Sequence, residues 1–455
     1  MKKNNWLHNK ISQCPDYVLL GAVLILCLGY RWFYFGILHP NAISYNSDSV
    51  SYFTIVNIFE GVVDAYRTPL YIYVLDFFQN LSGDNFLRHL FLFQQTISFL
   101  SIIPFYYISK NLLRNRYLII GVTIFYGCWF PIIIQNVNIN PESLCIAGST
   151  FVLYLFVKYI EKPAKYTAAA IGIFPFILIM LKPTYLILLG VIPVFLIVRF
   201  IHFRQERKIL YWGLLGWLIA VFGVLGYCEM NNRYNGQFVL SKVTLSNSLD
   251  SVIESGAYKH GGDAEFITVI DATRQRSFYI SQFLLDNDSI NNYKRCYNRF
   301  PQYLPLTNDM RFISSLPDTV NYPYERLSRF VKKSQYSMTY FVYMFKRTID
   351  FVWEYIILFL IIILESIIIV FAFVKYRRIA WTLSFCVLFV LGQFISIIIG
   401  GIGHNHLLMR IIGIGYYEYN RLLVPSYPCI IQITASFVGI LISSLDKEKF
   451  IKSIL

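Results

Sequence analysis

Charged residues are scarce along this chain: Asp, Glu, Lys and Arg together make up 15% of 455 residues, against 56% hydrophobic residues and a mean hydropathy of +0.51. So little charge cannot cover one soluble core, which leaves a polytopic membrane protein. Other absences narrow the field. No internal repeat, low-complexity linker or heptad pattern is present, which excludes solenoids and coiled coils. The eight cysteines form no disulfide framework, since most lie inside or at the ends of apolar runs and Cys296 stands alone in a polar segment. The glycines at 400, 401, 403, 413 and 415 match no phosphate-binding loop.

Membrane-length apolar runs are what the chain does have. Tyr17–Leu38 follows a basic stretch, and no small-residue cleavage site closes it, so an uncleaved signal anchor is expected. Further runs recur at Phe86–Tyr107, Tyr117–Val137, Leu144–Tyr159, Tyr166–Leu181, Thr184–Phe200, Ile209–Cys228, Phe351–Val374, Ile379–Ile399 and Leu422–Leu445. The expectation is an all-α protein of about ten transmembrane helices. Lys2, Lys3 and Lys10, Lys110, Arg114 and Arg116, Lys158, Lys162 and Lys165, Arg199, Arg204, Arg207 and Lys208, and Lys375, Arg377 and Arg378 fall on one side of such a threading, as do Lys447 and Lys449. Both termini are then cytoplasmic, and the formal charge of +14 is a topology signal, not an affinity for nucleic acid.

Three parts follow: an N-terminal transmembrane module (1–229) whose first outer loop (39–85) bears interfacial helices, an extracytoplasmic loop or small domain (230–350), and a C-terminal transmembrane module (351–455). Within the large loop, Tyr324–Asp350 mixes Arg and Lys with Phe and Tyr and reads as an amphipathic helix on the membrane surface.

Every candidate for chemistry lands on the outer side. Asp48, in Asn46-Ser47-Asp48-Ser49-Val50-Ser51-Tyr52, is either a turn residue or a general base at the water side of the bilayer. Tyr52 follows at helical spacing, and Tyr66-Arg67-Thr68-Pro69-Leu70-Tyr71 comes after a stretch containing Ile55, Phe59 and Val63. Lys182, at the tip of a tight hairpin, runs against the positive-inside pattern; it either snorkels to the interface or meets an anionic group. Glu142 opens a span, where a helix N-terminus favours a carboxylate without any function. Arg421 suits a bidentate phosphate contact or a pairing with Glu418. His404-Asn405-His406 offers two metal ligands but no third at a matching spacing. Glu365 lies inside a span, where an isolated charge is costly.

An Asp in the first outer loop, an Arg-x-Pro segment, Pro141-Glu142-Ser143 at a helix mouth, Lys182-Pro183 in a hairpin, and Tyr416 to Pro425 with its Arg421-Leu422 resemble the GT-C glycosyltransferases. The closest likeness is to the bacterial branch related to protein O-mannosyltransferases and lipid A aminoarabinose transferases. It covers about Tyr17 to Leu445 and is loose in the large loop, where Gly236-Gln237-Phe238 and Leu240-Ser241 carry it.

The resemblance implies an enzyme of the bacterial inner membrane with an extracytoplasmic site. Its donor would be a sugar on a polyprenyl phosphate, and its acceptor a lipid, a glycan or a protein. It makes Asp48 the catalytic carboxylate and places Arg67, Lys182 and Arg421 against the donor phosphate, with Tyr52, Tyr71, Glu142, Tyr419 and His404 in support. The chain departs from the family in having Ser47-Asp48-Ser49 where a paired acidic motif would stand, so no metal or other cofactor is expected. The chemistry agrees, because a phosphate is a good leaving group and one base suffices for a single inverting displacement. The competing readings are a transporter or lipid-linked glycan flippase, and a polysaccharide polymerase or ligase.

Overall fold

A computed structural model describes residues 14–40, 47–53, 66–113, 115–274, 322–354, 377–399 and 426–445, with isolated positions between them. It is all-helical, with no strand among the described residues. In chain order the helices are α1 (Asp16–Trp32, prolonged by a π turn, Phe33–Leu38), α2 (Ser47–Tyr52), α3 (Pro69–Ser82), α4 (Phe86–Leu100), α5 (Ile102–Leu112), α6 (Arg116–Cys128) and α7 (Phe130–Ile133). Then come α8 (Glu142–Glu161), α9 (Lys165–Leu181), α10 (Leu188–His202), α11 (Arg207–Asn235), α12 (Val243–Ser255), α13 (Ala264–Arg274), α14 (Tyr324–Gln335), α15 (Met338–Glu354), α16 (Arg377–Ile399) and α17 (Tyr427–Leu445).

By length and composition, five of the described helical segments can cross a membrane, and six if the bent pair α6 and α7 is one span. The segment Pro69–Leu112 is helical over 44 residues yet is not one rod. Tyr71 reaches Gln94 and the Phe78 and Phe93 rings meet at a tilt 5.2 Å apart, so the chain folds back at Gly83, whose φ of 51° suits glycine. The expected run Phe86–Tyr107 is therefore α4 followed by α5, with α3 leaning on α4 as a hairpin. Beyond Glu354, the expected run Phe351–Val374 lies outside the described residues, as does Glu365.

Helix α8 is the hub, packing against α4, α5, α9, α16 and α17. It is 72% buried across its apolar window, whereas α1 and α11, at 28%, present most of their apolar surface outward, as helices facing lipid do. The tightest packing joins α9 and α11 through small residues. A methyl group on Gly172 would lie 2.3 Å from the Gly213 carbonyl oxygen and 2.5 Å from the Trp217 nitrogen, and one on Gly216 2.5 Å from the Ala169 carbonyl oxygen. Backbones this close are how helices associate where no hydrophobic effect separates them from lipid. Gly172→Ala is expected to cost about 1–3 kcal/mol by overpacking. A lower thermal midpoint in detergent checks this, with Gly226→Ala, which meets nothing within 4 Å, as the unaffected control.

Prolines inside the spans free carbonyls, and polar side chains from neighbouring helices take them up. Pro131 has no N–H for the carbonyl of Gly127, four residues earlier, and the helix breaks by 42° between α6 and α7. The Arg31 side chain, buried in α1, donates from Nε to that oxygen at 3.0 Å and from Nη1 to Ser98 Oγ at 3.2 Å. Pro193 likewise frees the carbonyl of Leu189, which accepts from Trp217 Nε1 at 2.9 Å. These cross-helix bonds let broken helices survive in an apolar setting.

Charged side chains mark both ends of the bundle. At one end Lys110 pairs with Asp16 at 2.5 Å, Arg116 donates to the Cys14 carbonyl, and Arg199 pairs with Glu206 at 2.6 Å. The first-loop helices α2 and α3 and the start of α8 gather at the other.

Beyond α11, helices α12 to α15 pack around their own core of Leu249, Val252, Ile253, Tyr258, Phe266, Phe330 and Val331. This small helical unit is tied to the first loop by Ser241 Oγ, which donates to the Tyr66 carbonyl at 2.6 Å. Arg326 donates to both Asp263 oxygens and to Glu265 at 2.7 to 2.9 Å, which holds both carboxyls below their ordinary values. A depressed carboxyl pKa adds stability above the ordinary carboxylate value of about 4, and that stability is lost as pH falls through the lower folded value. Hydrogen exchange in α13 and α14 is expected to rise below about pH 4. Arg326→Ala should remove that acid step and leave the two helices equally open at neutral pH.

Candidate functional site at the first-loop end

Helix α2 is six residues long and carries Asp48 one turn before Ser51 and Tyr52. The Asp48 side chain lies outside the described residues. Ser51 and Tyr52 are buried, and both meet Arg67. Arg67 Nε donates to Ser51 Oγ at 2.6 Å, and the guanidinium lies 4.7 Å from the Tyr52 ring centre and 5.5 Å from that of Tyr66. The Arg67 carbonyl accepts from Tyr227 at the end of α11. Arg67 can be held this way because Thr68 is extended and Pro69 starts α3 as its first residue, which suits a missing N–H.

From Tyr52 the cluster continues inward. Tyr52 and Tyr71 meet edge to face at 5.1 Å, and the Tyr71 hydroxyl donates to Gln94 Oε1 at 2.9 Å. Gln94 Nε2 donates in turn to the carbonyls of Asn136 and Asn138 at 2.9 and 3.1 Å. Ser143 donates to Asn136 Oδ1 and so joins the start of α8 to the same network. Buried amides and hydroxyls satisfied in sequence like this fix one arrangement of the loop, the α3–α4 hairpin and α8.

Glu142 and Lys182 form the charged part. Lys182 Nζ donates to Glu142 Oε1 at 2.9 Å, with 8% and 2% of the two residues exposed. Glu142, in the first turn of α8, does not stand alone at the helix mouth: it is the partner of a cation forty residues away. Nor does Lys182 snorkel, for it is buried at the point where α9 ends and the 3-10 turn Pro183–Ile187 begins. Tyr185 in that turn donates to the Cys145 carbonyl at 2.8 Å and anchors it on α8. The hydrogen bonds from Tyr71 through Gln94 and Asn136 end on Ser143, next to Glu142 in sequence, so the Arg67 and Lys182 groups belong to one connected cluster.

Of the residues singled out in the sequence, Arg67, Tyr52, Tyr71, Glu142 and Lys182 come together here, with the backbone of Asp48 on the adjoining helix. Arg421, Tyr419, Glu418, His404 and His406 lie outside the described residues. Ser51, Gln94, Asn136 and Lys242 were missed. Gln94 had a signal, since a Gln-Gln pair inside Leu92-Phe93-Gln94-Gln95 is out of place in an apolar run. Lys242, buried with its ammonium 5.4 Å from the centre of the Tyr324 ring, follows directly on Leu240-Ser241.

Among the described residues no group of three or more His, Cys, Asp or Glu stands ready for a metal. An apolar gap deeper in the bundle, lined by Leu178, Leu188, Phe385 and Phe389 among others, is too narrow for a water molecule and is a packing feature. What the cluster can do chemically is bind an anion and order it beside a carboxylate-bearing helix. A guanidinium stacked on phenol rings and a buried ammonium are the groups that receive phosphate oxygens.

Fold and site together define an all-helical protein of membrane-spanning character with a buried polar cluster at one end. Its sequence matches no family model and no curated protein.

Proposed function

We propose that this chain is an inverting glycosyltransferase that moves a sugar from a polyprenyl phosphate to a lipid, glycan or protein acceptor. The observation that carries the reading is the chain of contacts that runs from Arg67, Ser51 and Tyr52 through Tyr71, Gln94 and Asn136 to the start of α8, where Glu142 pairs with Lys182. That cluster lies at the end opposite the basic residues Lys110, Arg116 and Arg199. In this reading the protein spans a bacterial inner membrane about ten times, with both termini cytoplasmic and the cluster extracytoplasmic.

Asp48 takes the proton of the acceptor hydroxyl. The acceptor oxygen bonds to the anomeric carbon from the face opposite the phosphate, and the carbon–oxygen bond to the phosphate breaks with its electron pair. The lipid phosphate leaves with that charge spread over oxygens held by Arg67, Lys182 and Arg421. Glu142 holds the Lys182 side chain in place until a phosphate competes for it. No metal is required by this scheme.

A second reading, a transporter or flippase of lipid-linked glycans, has one observation in its favour. The α6–α7 span is broken in mid-course and α9 and α10 carry internal prolines, as discontinuous transporter helices do. Purified protein in liposomes holding polyprenyl-phosphate sugars, supplied with a cell-envelope extract as the source of acceptor hydroxyls, separates the two. Release of free polyprenyl phosphate supports transfer; intact donor appearing in the opposite leaflet, with no phosphate released, sinks it.

A further inference from the structure

Helix α15 is built inside out for a soluble unit. Tyr340 packs against the core that α12, α13 and α14 share, Tyr343 donates to Glu254 at 2.7 Å, and Arg347 pairs with the same carboxylate at 3.4 Å. These three residues define the inward face. Met338, Phe341, Val342, Phe345 and Ile349 recur at i, i+3, i+4, i+7 and i+11 on the opposite face, and each is more than half exposed. Five large apolar side chains in one exposed stripe mark an interaction surface.

We infer that this face of α15 lies in the surface of an anionic bilayer, at the first-loop end of the bundle. Three observations select lipid as the occupant. The unit sits at that end, since Ser241 binds the Tyr66 carbonyl and Lys242 faces Tyr324. The chain runs from α15 directly into the apolar run Phe351–Val374, which keeps the helix close to the membrane. Lys346 is exposed beside the stripe, and Arg329, Lys332 and Lys333 are exposed on the preceding helix, a basic flank that matches anionic headgroups. The helix would pin the small outer unit over the site; this holds whether or not the chain is a transferase.

The test uses the full-length protein with Phe345→Cys or Phe341→Cys, labelled in detergent with an environment-sensitive fluorophore. The signal from native thiols is subtracted, and the protein is placed in phosphatidylglycerol and phosphatidylethanolamine vesicles. Lipids spin-labelled near the headgroup are expected to quench either probe at least about threefold more than aqueous iodide does, with the reverse order for Lys332→Cys. Stronger quenching by iodide at both apolar positions would place the face in water and overturn the inference. Stronger quenching by lipids labelled at the chain end would make α15 part of a span instead. Resistance to every quencher, with Phe345→Cys cross-linking into dimers, would make the occupant a second copy.

Discussion

Asp48→Asn is expected to lower sugar transfer by about 10²- to 10⁴-fold, the usual contribution of a positioned general base, with expression and donor binding kept. Asparagine matches aspartate in size but cannot accept the proton of the acceptor hydroxyl, so the loss belongs in kcat and not in KM. The expectation draws on the place of α2. One turn after Asp48, Ser51 fixes Arg67 at 2.6 Å and Tyr52 abuts Tyr71, so the helix that bears the carboxylate is braced against the proposed phosphate-binding arginine. Turnover of a polyprenyl-phosphate sugar by purified wild type and variant, with donor affinity measured separately, reads both quantities. Full transfer by the variant would remove Asp48 from the chemistry and leave it a turn residue.

Much of the helical layout was legible because an apolar run of eighteen or more residues has few fates other than a span. Partners were not legible. Hydropathy reports the solvent a residue faces, and it cannot say that Lys182 will find Glu142 across forty residues, or that Gln94 will join Tyr71 to Asn136. The fold-back at Gly83 was hidden because α3 and α4 are both apolar and helical, and only contacts across the turn reveal it. Lys182 itself stood out, since a cation at the outer end of a hairpin needs a reason; the sequence offered snorkelling or an anion, and the structure supplies a carboxylate. Two connections could have been reasoned out in advance. Pro131 and Pro193 each leave a carbonyl four residues earlier in want of a donor, and Arg31 and Trp217 are polar groups stranded in apolar runs.

That carboxylate makes the Lys182 assignment separable from stability. Glu142→Gln or Lys182→Met alone leaves one buried charge without its counter-charge and is expected to destabilise the protein by about 3–5 kcal/mol. Both single variants should therefore lose activity for a trivial reason. The double variant Glu142→Gln/Lys182→Met removes both charges, and replacing a whole buried pair is often neutral. Its thermal midpoint in detergent should return close to wild type. If the ammonium receives the donor phosphate, the restored fold still transfers poorly, and the deficit appears as a raised donor KM that excess donor partly relieves. Recovery of stability and transfer together would make the pair a brace between α8 and the α9 hairpin and nothing more. Arg67 would then remain as the one proposed phosphate ligand with described contacts, and the donor site would have to be sought between α2, Tyr66 and the buried Lys242.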